Sequence, residues 1–150
     1  MLVPLLLTAH LLVGVALLGA VTHQAVALLS PSAVKGGRFI ARYAKADHAA
    51  FTVAISVLFA SSVLLGGLLY PSYRLHVRIP FEELSFGWAI GLFELKEHFG
   101  GIGLGLIPAY VCAWRSGNAA GRIGMTLVLA FIAWWNFLVG HVLNNLRGLT

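Results

Sequence analysis

Residues 2–29 read LVPLLLTAHLLVGVALLGAVTHQAVALL, and this stretch decides the class of fold. It contains no Asp, Glu, Lys or Arg, and it is longer than the roughly 20 residues that a helix needs to cross the hydrocarbon of a bilayer. No basic segment precedes the apolar run, so we expect a mature membrane span rather than a cleaved signal peptide. The rest of the chain follows the same pattern.

The whole chain is as apolar as its first segment. Hydrophobic residues make up 59% of the 150 residues and charged residues only 10%, whereas a soluble domain is about a quarter charged. We therefore predict an all-α fold: an antiparallel bundle of four transmembrane helices in one domain covering residues 1–150. The predicted spans are residues 2–29, 48–70, 86–114 and 123–145, and Pro71 and Pro80 indicate an irregular connection between the second and third.

The third span allows two interpretations. Residues 86–114 form one helix of nearly thirty residues, or residues 81–96 lie on the membrane surface and the crossing starts near Glu97. The second version leaves a crossing of about 17 residues, close to the lower limit, so we favour one long helix.

Basic residues between the spans indicate the orientation. The first loop is richest in them, and the second loop also contains acidic residues. The first loop contains Lys35, Arg38, Arg42 and Lys45, the second contains Arg74 and Arg78, and the third contains Arg115 and Arg122. The positive-inside rule then places the first and third loops in the cytoplasm and both termini outside it, and we expect a bacterial inner membrane. The net charge of +5 is explained by this bias, so no nucleic acid partner is expected.

Histidines recur inside the predicted spans, where a strongly polar side chain needs a reason to be present. Helical rise places them in two layers about 20 Å apart. The outer layer holds His10, His98 and His141, and the inner layer holds His23 and His48.

Imidazoles on facing helices are typical axial ligands of haem b. The two layers predict an outer haem ligated by two of His10, His98 and His141, and an inner haem ligated by His23 and His48. Two observations argue against the second haem: thirteen residues turn a helix by about 220°, so His10 and His23 do not share a face, and His48 follows Asp47 at the membrane boundary.

The outer histidines also suit a metal ion without porphyrin. Together with Glu94 and Glu97 they offer mixed nitrogen and oxygen ligands for copper, zinc or iron, with His10, His98 and His141 as the metal ligands. In a third interpretation Glu94 and Glu97 are catalytic groups that accept the protons of a quinol.

The segment Glu94-Leu95-Lys96-Glu97-His98 is the most polar part of any span. Glu94 and His98 lie about 40° apart on a helix with Glu97 beside them, so we expect this face to point inward. Lys96 points almost the opposite way and is expected to snorkel outward or to pair with a carboxylate of a partner subunit.

Four spans with histidines near both ends resemble the b-type membrane cytochromes. The pattern from His10 to Gly14 and from Gly19 to His23 also resembles the first helices of copper-resistance-type membrane proteins. The resemblance to the cytochromes implies haem b and quinone-linked electron transfer, either in a redox subunit of an oxidoreductase complex or beside a partner redox subunit.

The leading functional hypothesis is therefore a membrane subunit that binds haem b and passes electrons between a quinone and a partner protein. The alternatives are a membrane protein that handles a non-haem metal or protons, and a structural accessory subunit of a larger membrane complex. The partners expected are the lipid bilayer, a quinone, and a redox subunit or further copies of this chain.

Overall fold

The computed structural model of this protein describes residues 2–29 and 48–147, and of His48 and Arg147 it describes the backbone alone. The basic loop used above to predict the orientation lies outside the described residues. The described part is helical almost throughout and contains no strand, in agreement with the predicted all-α class.

Four long helices and one short one make up the described chain. They are α1 (Leu2–Leu29), α2 (His48–Tyr73), α3 (Ile79–Glu83), α4 (Gly87–Arg115) and α5 (Ala119–Arg147). Three segments are long and apolar enough to cross a membrane: Leu2–Leu29, Ala49–Glu83 and Ala119–Leu146. Helix α4 is as long as α5 but less apolar, because it carries Glu94, Lys96 and Glu97.

The predicted irregular connection after residue 70 is wrong. Helix α2 continues through Pro71 to Tyr73 and passes directly into one π-helical stretch, Arg74–Arg78, and then into α3. Pro80 has no N–H to donate to the preceding turn, and the π-helical stretch Arg74–Arg78 lies directly before α3, so the helical path continues past Pro80 with altered hydrogen bonding. The chain reverses only at residues 84–86, where Ser85 adopts a φ of 60°.

Each long helix packs against two others, in the order α1, α2, α4, α5 and back to α1. Sequence neighbours run in opposite directions, since Gln24 near the end of α1 contacts Thr52 near the start of α2, and Trp114 at the end of α4 contacts Thr126 near the start of α5. The long interpretation of the third predicted span therefore matches α4, which is one continuous helix.

The core lies where the four long helices meet. Val21, Ile55, Tyr110 and Leu129 are fully buried there, one from each long helix. A second cluster lies at the other end, where Phe81 of α3 packs against α4 and α5. Many large apolar side chains remain exposed around the outside, as lipid-facing side chains are.

One buried hydrogen-bond network joins all four long helices. The hydroxyl of Tyr110 donates to Oε1 of Gln24 at 2.5 Å, and Thr126 donates to the same oxygen at 3.4 Å. Nε2 of Gln24 donates to the hydroxyl of Thr52 at 3.4 Å, and Nε1 of Trp114 donates to Thr126 at 3.2 Å. We call these five residues the Gln24 layer. Interhelical hydrogen bonding by polar residues is typical of membrane helices.

A close approach between α2 and α4 depends on Gly103. A Cβ at this position would overlap the ring of Phe59 and would lie 3.2 Å from Cγ2 of Ile132. Gly101 and Gly105 differ, because a Cβ at either position meets nothing within 4 Å. Only the middle glycine of this run is therefore required by the packing within one chain.

Gln24 and Tyr110 are expected to be energetically coupled. In a double-mutant cycle of Gln24→Leu and Tyr110→Phe, we expect a coupling free energy of about 0.6 kcal/mol and at most about 1.7 kcal/mol, as found for interhelical hydrogen bonds in membranes. The free energy of unfolding in mixed detergent micelles measures it. Thr8→Val is the control, because Thr8 bonds only the carbonyl of Pro4 in its own helix. A coupling of zero would show that the layer does not hold the helices together.

Gly103→Ala is expected to lower the free energy of unfolding by about 1–3 kcal/mol, because the added methyl group overpacks the core against Phe59. Gly101→Ala and Gly105→Ala are matched controls in the same helix. They are expected to be neutral or to stabilise by up to about 1 kcal/mol through helix propensity. Denaturation followed by circular dichroism in micelles measures all three, and equal effects would contradict the packing argument.

Candidate functional site

A second set of polar side chains lies at the opposite end of the core from the Gln24 layer. It consists of His10 on α1, Lys96 on α4 and Asn136 on α5, and we call it the Lys96 cluster. Lys96 lies close enough to His10 for their charges to interact. The described residues offer the Lys96 ammonium no hydrogen bond and no ion pair, and its nearest aromatic neighbour is Phe93, with Nζ 5.4 Å from the ring centroid.

Each side chain of the Lys96 cluster lies against a glycine of a neighbouring helix. A Cβ built on Gly66 would lie 3.6 Å from Cε1 of His10. A Cβ built on Gly140 would lie 3.6 Å from Cε of Lys96. A Cβ built on Gly100 would lie 3.8 Å from Nδ2 of Asn136. These three glycines make room for polar side chains between closely packed helices.

The hydrogen-bonding capacity of this region is not used up. Nδ1 of His10, Oδ1 of Asn136, Nε1 of Trp135 and the hydroxyl of Tyr73 are buried without a hydrogen-bond partner among the described residues. Most buried polar atoms in proteins are paired, so several unpaired atoms in one half of a molecule need an explanation. The Gln24 layer differs in this respect, because its side chains bond one another.

Charged residues at the rim of the Lys96 cluster are paired. Nε of Arg78 lies 2.8 Å from Oε1 of Glu82, and Nη1 of Arg78 lies 3.6 Å from Oε1 of Glu94. All three side chains are partly exposed, and Arg78 ties the connection before α4 to α4 itself. The ion pair with the Arg78 guanidinium therefore gives Glu94 a structural role.

The expected orientation of residues 94–98 is reversed in the structure. Lys96 is half-buried and faces α5, whereas Glu94, Glu97 and His98 are exposed. The reversal has a packing cause: the side of α4 that carries Lys96, Phe99 and Gly103 contacts α5, and Gly140 leaves space there for the lysine stem. Glu97 remains close enough to interact electrostatically with both Lys96 and His98.

The predicted histidines do not converge. His10 is half-buried, but His98 and His141 are exposed, and each bonds an atom four residues away in its own helix. His23 stacks on Phe51 of α2, with ring centroids 4.7 Å apart and planes 18° from parallel. The side chain of His48 lies outside the described residues.

Within residues 2–29 and 48–147, no three His, Cys, Asp or Glu side chains lie close enough together to hold a metal ion. The predicted haem b and the predicted copper or other transition metal therefore receive no support from this arrangement and stay predictions.

Two important residues were missed or misplaced by the sequence reasoning. Lys96 was expected to point away from the interior, and Tyr110, which was not among the predicted site residues, is fully buried in the Gln24 layer. The one feature of the sequence that indicates an inward Lys96 is Gly140 on α5, which leaves space for its stem. This feature can be interpreted only when α4 and α5 are known to pack together.

Comparisons of the chain with protein-family models, with curated proteins and with solved structures found no match. The resemblance to membrane cytochromes therefore stays a prediction, and the case for a function depends on the geometry of the chain itself.

Lys96→Met is expected to raise the thermal unfolding midpoint, because methionine retains the apolar stem and removes a desolvated charge that forms no ion pair with a described residue. Gly140→Leu is expected to lower the midpoint, because its side chain would occupy the space of the lysine stem. Arg115→Met, which removes an exposed cation from the same helix, is the control. A lower midpoint for Lys96→Met would mean that the ammonium stabilises the fold.

Proposed function

We propose that this protein is an integral membrane protein of four antiparallel spans that takes up and releases protons at the Lys96 cluster. The observation that carries the proposal is that two titratable groups, His10 and Lys96, lie between apolar helices close enough for their charges to interact, while no described carboxylate forms an ion pair with Lys96. Ionisable residues within membrane segments are rare and usually functional.

The chemistry of the pair supports proton exchange. Imidazole and ammonium are both proton donors when charged, and two cations at close range repel each other. A proton on one group therefore affects the proton on the other, and the two titrate as a coupled pair. The unpaired atoms of Asn136 and Trp135 nearby leave capacity for hydrogen bonds to a further group.

The fourth span of the proposal is α4. It has 29 residues and is about 43 Å long, as α5 is, and it packs between α2 and α5, which are both apolar enough to cross a membrane. The loop bias of the sequence then places the Gln24 layer near the cytoplasm and the Lys96 cluster in the outer half, with both termini outside, in a bacterial inner membrane.

The resemblance to membrane cytochromes supplies the context for the proposal. In this context the protein is a subunit beside a redox partner, and the protons that the Lys96 cluster exchanges are those of a quinone. Glu97 interacts electrostatically with Lys96 and is exposed on the other side of α4. It therefore lies between the Lys96 cluster and the outside of the helix bundle.

Coupled titration is the expected signature. In nanodiscs, the ring nitrogen resonances of His10, assigned with His10→Ala, are expected to titrate within the pH range over which the protein stays folded. Lys96→Met is expected to shift the midpoint of this titration, because it removes the neighbouring charge.

One control accompanies this experiment. Arg115→Met removes a cation from the other end of α4 and is expected to leave the His10 midpoint unchanged. A His10 ring that keeps one protonation state over this range, or a midpoint that Lys96→Met does not move, contradicts the proposal.

An absorption spectrum of the purified protein, oxidised and reduced, decides on the haem separately. A Soret band that His10→Ala removes would replace proton exchange by electron transfer as the role of this residue. A spectrum without that band leaves proton exchange as the function of the Lys96 cluster.

A further inference from the structure

One stripe along the exposed side of α4 is polar and small, and the exposed apolar side chains of Ile102 and Leu104 lie on either side of it. Glu97, His98, Gly101, Gly105 and Cys112 are all exposed there. Helical geometry aligns them, since eleven residues from Gly101 to Cys112 make about three full turns. A surface of this composition is unusual for a helix that contacts lipid, which favours large apolar side chains.

Two of these residues lie deep in the proposed membrane. Trp88 and Trp114 occur near the two ends of α4, where tryptophan anchors a span at the membrane surface. Halfway between them is residue 101, so Glu97 is about 6 Å and His98 about 4.5 Å from the middle of the span. Among the described residues His98 bonds only the carbonyl of Glu94, through Nδ1. A carboxyl group facing acyl chains at that depth is costly, so this side of α4 is covered.

Packing within one chain does not explain the two exposed glycines. Gly103 is required by the contact with Phe59, but a Cβ at Gly101 or Gly105 meets nothing within 4 Å. Glycines four residues apart allow a second helix to approach closely in a membrane. They indicate that the covering surface is another helix.

We infer that this face of α4, consisting of Glu97, His98, Gly101 and Gly105, binds the same face of a second copy of the chain. The argument for a second copy is charge complementarity. Two copies inserted in the same direction and related by a two-fold axis place residues of equal depth next to each other. Glu97 of one copy then meets His98 of the other, twice, and the acid and the base are each other's partners.

This inference depends on the proposed membrane insertion of α4 and not on proton exchange at the Lys96 cluster. The dimer gives Glu97 two neighbours, with Lys96 of its own chain on the inner side of α4 and His98 of the second copy on the outer side.

Native Cys112 supplies the test, because it is the only cysteine of the chain and lies on the proposed contact face. In intact membranes that contain two differently tagged copies, a short membrane-permeable bismaleimide is expected to link the two tags in one band of twice the 16.0 kDa mass. Cys112→Ser is expected to abolish this band. In that background Val128→Cys, exposed on α5, is expected to give none.

Glycine variants test the contact itself. The double variant Gly101→Leu with Gly105→Leu is expected to lose the linked band, while Gly19→Leu with Gly67→Leu, at open positions on α1 and α2, is expected to retain it. Glu97→Gln is expected to weaken the band and Glu83→Gln, exposed at the end of α3, to leave it unchanged. Circular dichroism of each purified variant confirms that the monomer has folded.

Three outcomes overturn the inference: no linked band from the native chain, a band that contains only one tag, and a band that persists in the folded Gly101→Leu, Gly105→Leu variant. Extraction of the same membranes with alkaline carbonate separates this failure from failure of the proposed function. A chain that stays in the membrane pellet without linking contradicts only the dimer, and a chain released by carbonate contradicts both.

Discussion

The hydrogen bonds of Gln24 are the contact on which the arrangement of the helices depends. Apolar side chains on the outside of this protein gain little by leaving lipid for another helix, so burial of apolar area does not hold membrane helices together as it holds a soluble core. A buried amide in an apolar environment must be bonded or it costs several kcal/mol. Gln24 is fully buried and bonds Thr52, Tyr110 and Thr126, so each of the other long helices supplies one of its partners.

The contrast between the two polar regions follows from this constraint. In the Gln24 layer the polar side chains bond one another, and such a layer fixes the register of the helices without being available for chemistry. In the Lys96 cluster the glycines Gly66 and Gly140 make room for an imidazole and an ammonium that have like charge when protonated. Four polar atoms in this half of the molecule are buried without a hydrogen-bond partner among the described residues, so hydrogen bonding does not account for this region as it does for the Gln24 layer.

Sequence reasoning predicted most of the fold because hydropathy and length are local properties. The first predicted span coincides with α1, and α4 is the single helix that the favoured interpretation required. The helical path extends beyond the predicted end of the second span because the chain passes Pro71 and Pro80 without a break, with a π-helical stretch between them. Rules for single residues treat proline as a break, whereas its effect depends on where in a helix it lies.

The candidate site was harder to predict because it depends on the rotation of one helix. A turn of 100° per residue shows which side chains share a face, but it does not show which face is inside. Glu94, Glu97 and His98 formed the more conspicuous polar face, and Lys96 was the side chain that lay opposite to them. What decides the rotation is steric: only Gly103 lets Phe59 approach, and only Gly140 receives the stem of Lys96.

The rotation of α4 that buries Lys96 gives this helix one polar side inside the bundle and another outside it. Any helix that packs on one side only has this property when charged residues lie all around it. Turning Lys96 inward necessarily turns Glu97 and His98 outward, since neighbouring residues lie about 100° apart. A helix with these residues therefore has no orientation in which a single chain buries all of them. In the proposed dimer a second copy covers the exposed pair, and Gly101 and Gly105 keep the surface next to that pair accessible to it.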